Sequence, residues 1–81
     1  MSEAFIQRLV EFAESGNQQK IQLKGNIYQG WIMEISDQAL LISTGFAEKT
    51  GKEIWIDFND LQNAELSFWN TQTDQWTIFQ L

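Results

Sequence analysis

The hydrophobic period of this chain changes once, at Gly16-Asn17, and that change limits the fold to one helix followed by β-structure. In residues 2–15, "SEAFIQRLVEFAES", apolar positions recur at helical spacing: Phe5, Leu9 and Phe12 form a stripe that Ile6, Val10 and Ala13 widen. Ser2 is the expected N-cap, Glu3 falls in the first turn, and Gly16-Asn17 is the stop signal. The opposite side carries Gln7, Arg8, Glu11 and Glu14. A helix lying on a membrane needs a basic polar face, and this one is mainly acidic, so it is expected to pack on its own domain.

Beyond Gly16 the period is two. Ile21 and Leu23 alternate with Gln22 and Lys24 in a first strand. Gly25-Asn26 offers turn chemistry, since both residues tolerate positive φ. Residues 27–35 and 39–43 read as second and third strands, and 44–52, "TGFAEKTGK", as a longer loop. Ile54, Ile56 and Phe58 alternate with Trp55 and Asp57 in a fourth strand, and "NDLQ" reads as a tight connection to a fifth running from about Leu61 to Phe68. A turn at 70–74 and a sixth strand at 75–81 complete the chain. The segment 27–35 is apolar on both faces and contains Gly30, five positions after Gly25. An interior glycine of this kind marks a sharp bend that lets one strand serve two halves of a small barrel. Ile32 and Ile35 would then face the interior, and Ile27, Trp31 or Met33 would meet the helix or a neighbouring subunit. The expected class is mainly β with one N-terminal helix: a strongly bent five-stranded antiparallel barrel over 20–68, helix 2–15 before it, and an added C-terminal strand in an extension over 69–81.

The 81 residues make a single small domain with a thin margin of stability. Such domains are usually reinforced by disulfides, a metal or oligomerisation. The chain has no cysteine and no histidine, so neither a disulfide nor an ordinary zinc site is available and no cofactor is expected. Self-association is the remaining device, and 43% hydrophobic residues with four tryptophans provide for it. No apolar run approaches a membrane span and no basic leader opens the chain, so the reading is soluble and cytoplasmic, without a membrane partner. The net charge is −6, with Arg8, Lys20, Lys24, Lys49 and Lys52 against eleven carboxylates, so contact with nucleic acid must rest on local stacking and hydrogen bonds.

The same inventory argues against catalysis. The common general base and the best nucleophile are missing, no phosphate-cradling loop occurs, and nothing points to a small-molecule substrate. Carboxylates near turns (Glu34 with Asp37, Asp57 with Asp60) are the pairs a glycosidase or a magnesium site would draw on, but acidic turn residues are ordinarily just solvated. The aromatic residues Tyr28, Trp31, Phe46, Trp55, Trp69 and Trp76 exceed what one small core hides. Most are expected to complete the core or a subunit interface, the alternative being a stacking surface for bases.

The order of helix and bent strands resembles the Sm-like family, the Sm, Lsm and Hfq proteins. Ile21, Leu23, Gly25, Gly30, Ile32 and Ile35 follow the order of its first motif, Ala39-Leu40-Leu41-Ile42 lands where the third strand begins, and "IWIDF-ND-LQNAEL" looks like the second motif. The resemblance covers about residues 2–68. It implies a closed homo-oligomeric ring of about five to seven subunits, strand four of one pairing with strand five of the next, with single-stranded RNA bound around the pore. The chain departs at the contact positions: Ser36 stands where the family has its loop aspartate, Gln38 at the base-stacking position, Leu40 at the uracil-reading asparagine, and Asn59-Asp60 where a glycine or Lys-His pair is found. The positions implied to line the pore are Asp37, Gln38, Asn59 and Asp60. Lys20, Lys24 and Arg8 are candidates for a basic face, and Lys49 and Lys52 for the opposite one. A ring-forming protein-interaction module that binds no nucleic acid is the alternative.

Overall fold

The computed structural model of the chain describes residues 3–44 and 52–81. The Ser2 cap and most of the long loop, with Phe46 and Lys49, lie outside them. The elements are α1 (Glu3–Ala13), β1 (Gln19–Leu23), β2 (Asn26–Ile35), β3 (Ala39–Ser43), β4 (Glu53–Asp57), a one-turn helix α2 (Phe58–Leu61), β5 (Glu65–Asn70) and β6 (Gln75–Phe79). All neighbouring strands are antiparallel, in the order β4-β3-β2-β1-β5-β6.

The sheet bends where β2 changes partners. Residues 26–30 of β2 pair with β1, and from Trp31 onward β2 pairs with β3. Gly30 stands at the changeover, where a Cβ would sit 1.8 Å from the carbonyl oxygen of Ser43. The expected bend therefore has a steric cause: β3 crosses too close for any side chain at position 30. A register shift between Ile32 and Glu34, a bulge at Met33, adds to the distortion. Both halves contribute to one core, in which Leu9, Phe12, Ile21, Leu40, Ile42, Phe58 and Leu61 are the fully buried large side chains. Ile32 and Ile35 pack against it, while Ile27, Trp31 and Met33 are exposed.

Four expectations are corrected. The six strands match the five-stranded body with its added C-terminal strand, but the sheet is open, ending at β4 and β6, and does not close into a barrel. The first hairpin turns on Lys24-Gly25, not Gly25-Asn26: both have positive φ (51° and 81°), as a type I′ turn requires, and Asn26 already pairs with Leu23. "NDLQ" is not a tight turn, and β5 begins at Glu65 rather than near Leu61. Phe58 and Leu61 lie three apart and are both buried, which is the spacing of one face of a helical turn.

Helix α1 lays Leu9 and Phe12 into the core. Phe5 meets Phe58 edge-on at 5.2 Å between ring centroids, and Phe12 meets Phe79 at the same distance. Past the helix, the Asn17 N–H donates to the Trp69 carbonyl at 3.1 Å, and the Trp69 N–H to the Gln18 carbonyl at 2.9 Å, which fastens the linker to β5. Buried Gln19 ties this region to the bend. Its Nε2 donates to the Ser15 carbonyl at 2.7 Å, and its Oε1 accepts from the Ile32 N–H at 3.3 Å.

Candidate functional site

The β2–β3 connection is organised by Ser36. Its Oγ accepts from the N–H groups of Gln38 (3.1 Å) and Ala39 (3.0 Å), while its own N–H donates to the Ala39 carbonyl at 2.8 Å. A serine side chain that satisfies the backbone of its own turn in this way leaves the next two side chains free of the turn. Asp37 and Gln38 are accordingly exposed.

The second connection comes to the same place. β4 ends at Asp57, whose backbone is extended (φ −66°, ψ 146°) and whose side chain does not cap α2. Phe58 then drops into the core, and its N–H donates to the Gln38 carbonyl at 2.9 Å. This bond joins two connections that are well separated in sequence. Asp37, Gln38, Asp57, Phe58 and Asn59 together line one open cleft.

Of the four residues expected to line the pore, three share this cleft and Asp60 does not. Consecutive residues in a helical turn point about 100° apart. Asn59 therefore faces the cleft while Asp60 turns away, its carboxylate 3.8 Å from Lys24 Nζ. Asp57 and Phe58 complete the site; the sequence marks Asp57 only as a turn carboxylate beside Asp60 and Phe58 only as a strand residue. The signal that points to them is the Phe58-x-x-Leu61 spacing, which marks a helical turn where alternation suggests a continuing strand.

The three cations are dispersed. Arg8 lies 4.6 Å over the Phe79 ring, pairs with Glu11 at 2.6 Å and donates to the Gln80 carbonyl, so it clamps β6 to α1. Lys20 lies 4.3 Å over the Trp76 ring, and Trp76 is packed edge-on against Trp69 across the last hairpin. Lys24 sits at the tip of the first hairpin. None of the three lines the cleft, whose charged residues among those described are Asp37 and Asp57. Among the described residues no three potential metal ligands gather. None of the described helices is long and apolar enough to cross a membrane.

The aromatic residues divide between roles. Phe5, Phe12, Phe58 and Phe79 pack in or against the core, whereas Trp31 and Trp55 are exposed on the outer side of the sheet. A second, larger open cleft lies between α1, the start of β5 and the end of β6, with Phe5, Leu61, Ala64, Leu66, Phe79 and Leu81 among its lining.

Comparison with protein-family models, with curated proteins and with solved structures yields no match.

Proposed function

We propose that this chain is a non-catalytic, Sm-like subunit of a closed homo-oligomeric ring, and that the cleft at residues 37–38 and 57–59 binds single-stranded nucleic acid, RNA in the first instance, in RNA processing or regulation. The observation that carries the reading is the convergence itself. The two connections that the resemblance associates with ligand contact are far apart in sequence, and the Phe58 N–H to Gln38 carbonyl bond brings them together. The strand order β4-β3-β2-β1-β5 after an N-terminal helix, with its bend at Gly30, supports the same reading. A cytoplasmic location goes with it.

The chemistry of the cleft defines the mode of binding. Gln38 and Asn59 are amides that donate and accept, which suits unstacked base edges. Asp37 and Asp57 repel phosphate, so the bases rather than the backbone are held, and repetition around a ring supplies the avidity that one cleft lacks. Fluorescence anisotropy with short U-rich, A-rich and mixed RNA and DNA strands tests this. Binding should depend on base composition. Its slope of log affinity against log salt should be shallower than about −1, because few phosphates are neutralised. Combined Gln38→Ala and Asn59→Ala should weaken it roughly 5–100-fold, two hydrogen bonds' worth. No binding to any strand at low salt defeats the proposal.

A second reading has its own observation. Among the described residues the two carboxylates of the cleft face no cation in its lining, and the overall charge is −6. A ring-forming module that docks a basic protein segment would use such a surface. Saturable binding of a Lys/Arg-rich peptide, lost in Asp37→Asn with Asp57→Asn, and no binding of oligonucleotide would decide for it.

A further inference from the structure

An open sheet has two edges, and among the described residues they are β4 and β6. Each is five residues long. β6 contains no charge, proline or bulge of the kind that commonly protects exposed edges, and β4 carries only the acidic pair Glu53 and Asp57 at its ends. The strand that the Sm-like resemblance assigns to the subunit contact, β5, has no edge left: β1 holds one side and β6 the other.

Direction and charge select how the edges are used. All six strands alternate, so β4 and β6 of one chain run in opposite directions. A second copy in the same orientation therefore sets its β6 antiparallel to the first copy's β4 and continues the sheet. Pairing β4 with another β4 about Trp55 is disfavoured, because Glu53 would lie opposite Asp57 twice, and like charges directly opposite destabilise a ladder. β6, Gln75-Trp76-Thr77-Ile78-Phe79, is uncharged and places no like charge against β4. Side-chain sidedness also agrees. Ile56 and Phe79 turn toward the core, so Trp55 and Ile78 both turn outward, where they are 51% and 56% exposed.

We propose that β4 of one copy pairs antiparallel with β6 of the next, head to tail, and that Trp55 packs on the partner's outward β6 face around Ile78. The proposal rests on the ring-forming part of the function proposed above and not on its nucleic-acid part. It replaces the β4–β5 contact with one made by the C-terminal hairpin, which thereby sets the angle between neighbours and the size of the ring.

The test is the mass of the full chain by light scattering, without oligonucleotide, for wild type, Trp55→Lys, Ile78→Glu and the double variant. Both side chains are more than half exposed, so each single variant should keep the wild-type circular dichroism. Each should weaken assembly at least about tenfold, through lost apolar burial and, for Ile78→Glu, repulsion from Glu53 and Asp57. The double variant should recover assembly, since the introduced lysine of one copy and the introduced glutamate of the next are within reach whether directly or diagonally opposed. A wild type that is monomeric at every concentration overturns the proposal. So does a Trp55→Lys protein that assembles like wild type while Ile78→Glu does not, which would indicate β6 pairing with β6. A double variant no better than the singles also overturns it. Hydrogen exchange on the unaltered chain is the independent arm: amides of both β4 and β6 should gain protection with rising concentration, and unchanged protection in either refutes the contact. A chain that assembles this way and binds no oligonucleotide would leave the contact standing and remove the nucleic-acid reading.

Discussion

Replacing Gly30 with alanine separates two reasons a strand can contain glycine. At position 30 the added methyl would lie 1.8 Å from the Ser43 carbonyl oxygen and 2.8 Å from its carbon, and since real Cβ contacts stay beyond 3.0 Å, the backbone of β3 must retreat by about 1.2 Å. The obstacle is main chain, not the end of a flexible side chain, so it cannot rotate aside. The retreat strains the β2–β3 ladder at Trp31 and Ser43, next to buried Ile42. Overpacking costs about 1–3 kcal/mol and a weakened backbone hydrogen bond about 1 kcal/mol more, so a loss of about 2–4 kcal/mol is expected. A chain of this size is stable by only about 4–12 kcal/mol, and each kcal/mol shifts the melting temperature by roughly 4–8 °C. Thermal and urea unfolding at fixed protein concentration should therefore show a thermal midpoint lower by roughly 10–30 °C. Gly25→Ala is the control. Gly25 has positive φ (81°) with open space around its Cβ position, so alanine there suffers only the left-handed backbone penalty of about 1–2 kcal/mol. If Gly30→Ala unfolds with Gly25→Ala or above it, close approach of β3 is not what requires the glycine, and the account of the bend is wrong.

Three other substitutions probe the links around the site. Lys24→Asn should stabilise by about 0.5–1 kcal/mol despite losing the exposed contact with Asp60, because asparagine tolerates the positive φ of 51° and gives the Asn-Gly pair a type I′ hairpin favours; an unchanged or lower urea midpoint would contradict it. Gln19→Leu should cost about 1–3 kcal/mol in the same assay, since it removes both hydrogen bonds between the end of α1 and the bend in β2; a neutral result would mean water replaces the amide. Arg8→Ala should cost only about 1 kcal/mol, its contacts being largely exposed, but should selectively raise amide exchange over 75–80, and uniform exchange across the chain would show that it does not clamp β6.

What could be read in the sequence follows from how local the cause is. The helix and strand segments were legible because side-chain period is a property of consecutive residues. Phe5, Leu9 and Phe12 mark one helix face, and Ile54 and Ile56 mark one strand face. Gly30 was legible as a bend but not as a collision, because the atom it avoids belongs to Ser43 on another strand. The Lys24-Gly25 turn was hidden by one residue of register: lysine at positive φ goes against its own preference and is imposed by the β1–β2 pairing. Closure into a barrel was not legible, since β5 can offer its free edge to β4 or to β6, and only the three-dimensional geometry of the last hairpin decides.

The candidate site divides along the same line. Asp37 and Gln38 are candidates through the Sm-like resemblance alone; the reason their side chains stand exposed, Ser36 satisfying the turn before them, is seen only in the structure. Asn59 and Asp60 read as a pair because they are adjacent, and the one-turn helix separates them. Burying Phe58 and Leu61 on the inner side of α2 turns Asn59 to the cleft and Asp60 to Lys24. The separation matters for the proposed binding. An Asp60 directed into the cleft would add a third carboxylate to Asp37 and Asp57. Directed at Lys24, its charge is partly offset at the hairpin tip, and the two amides of Gln38 and Asn59 remain the neutral hydrogen-bonding groups on the cleft's lining. The apolar i,i+3 pair under α2 thus does two jobs at once: it closes the core beneath the site and sets which polar side chain the site presents.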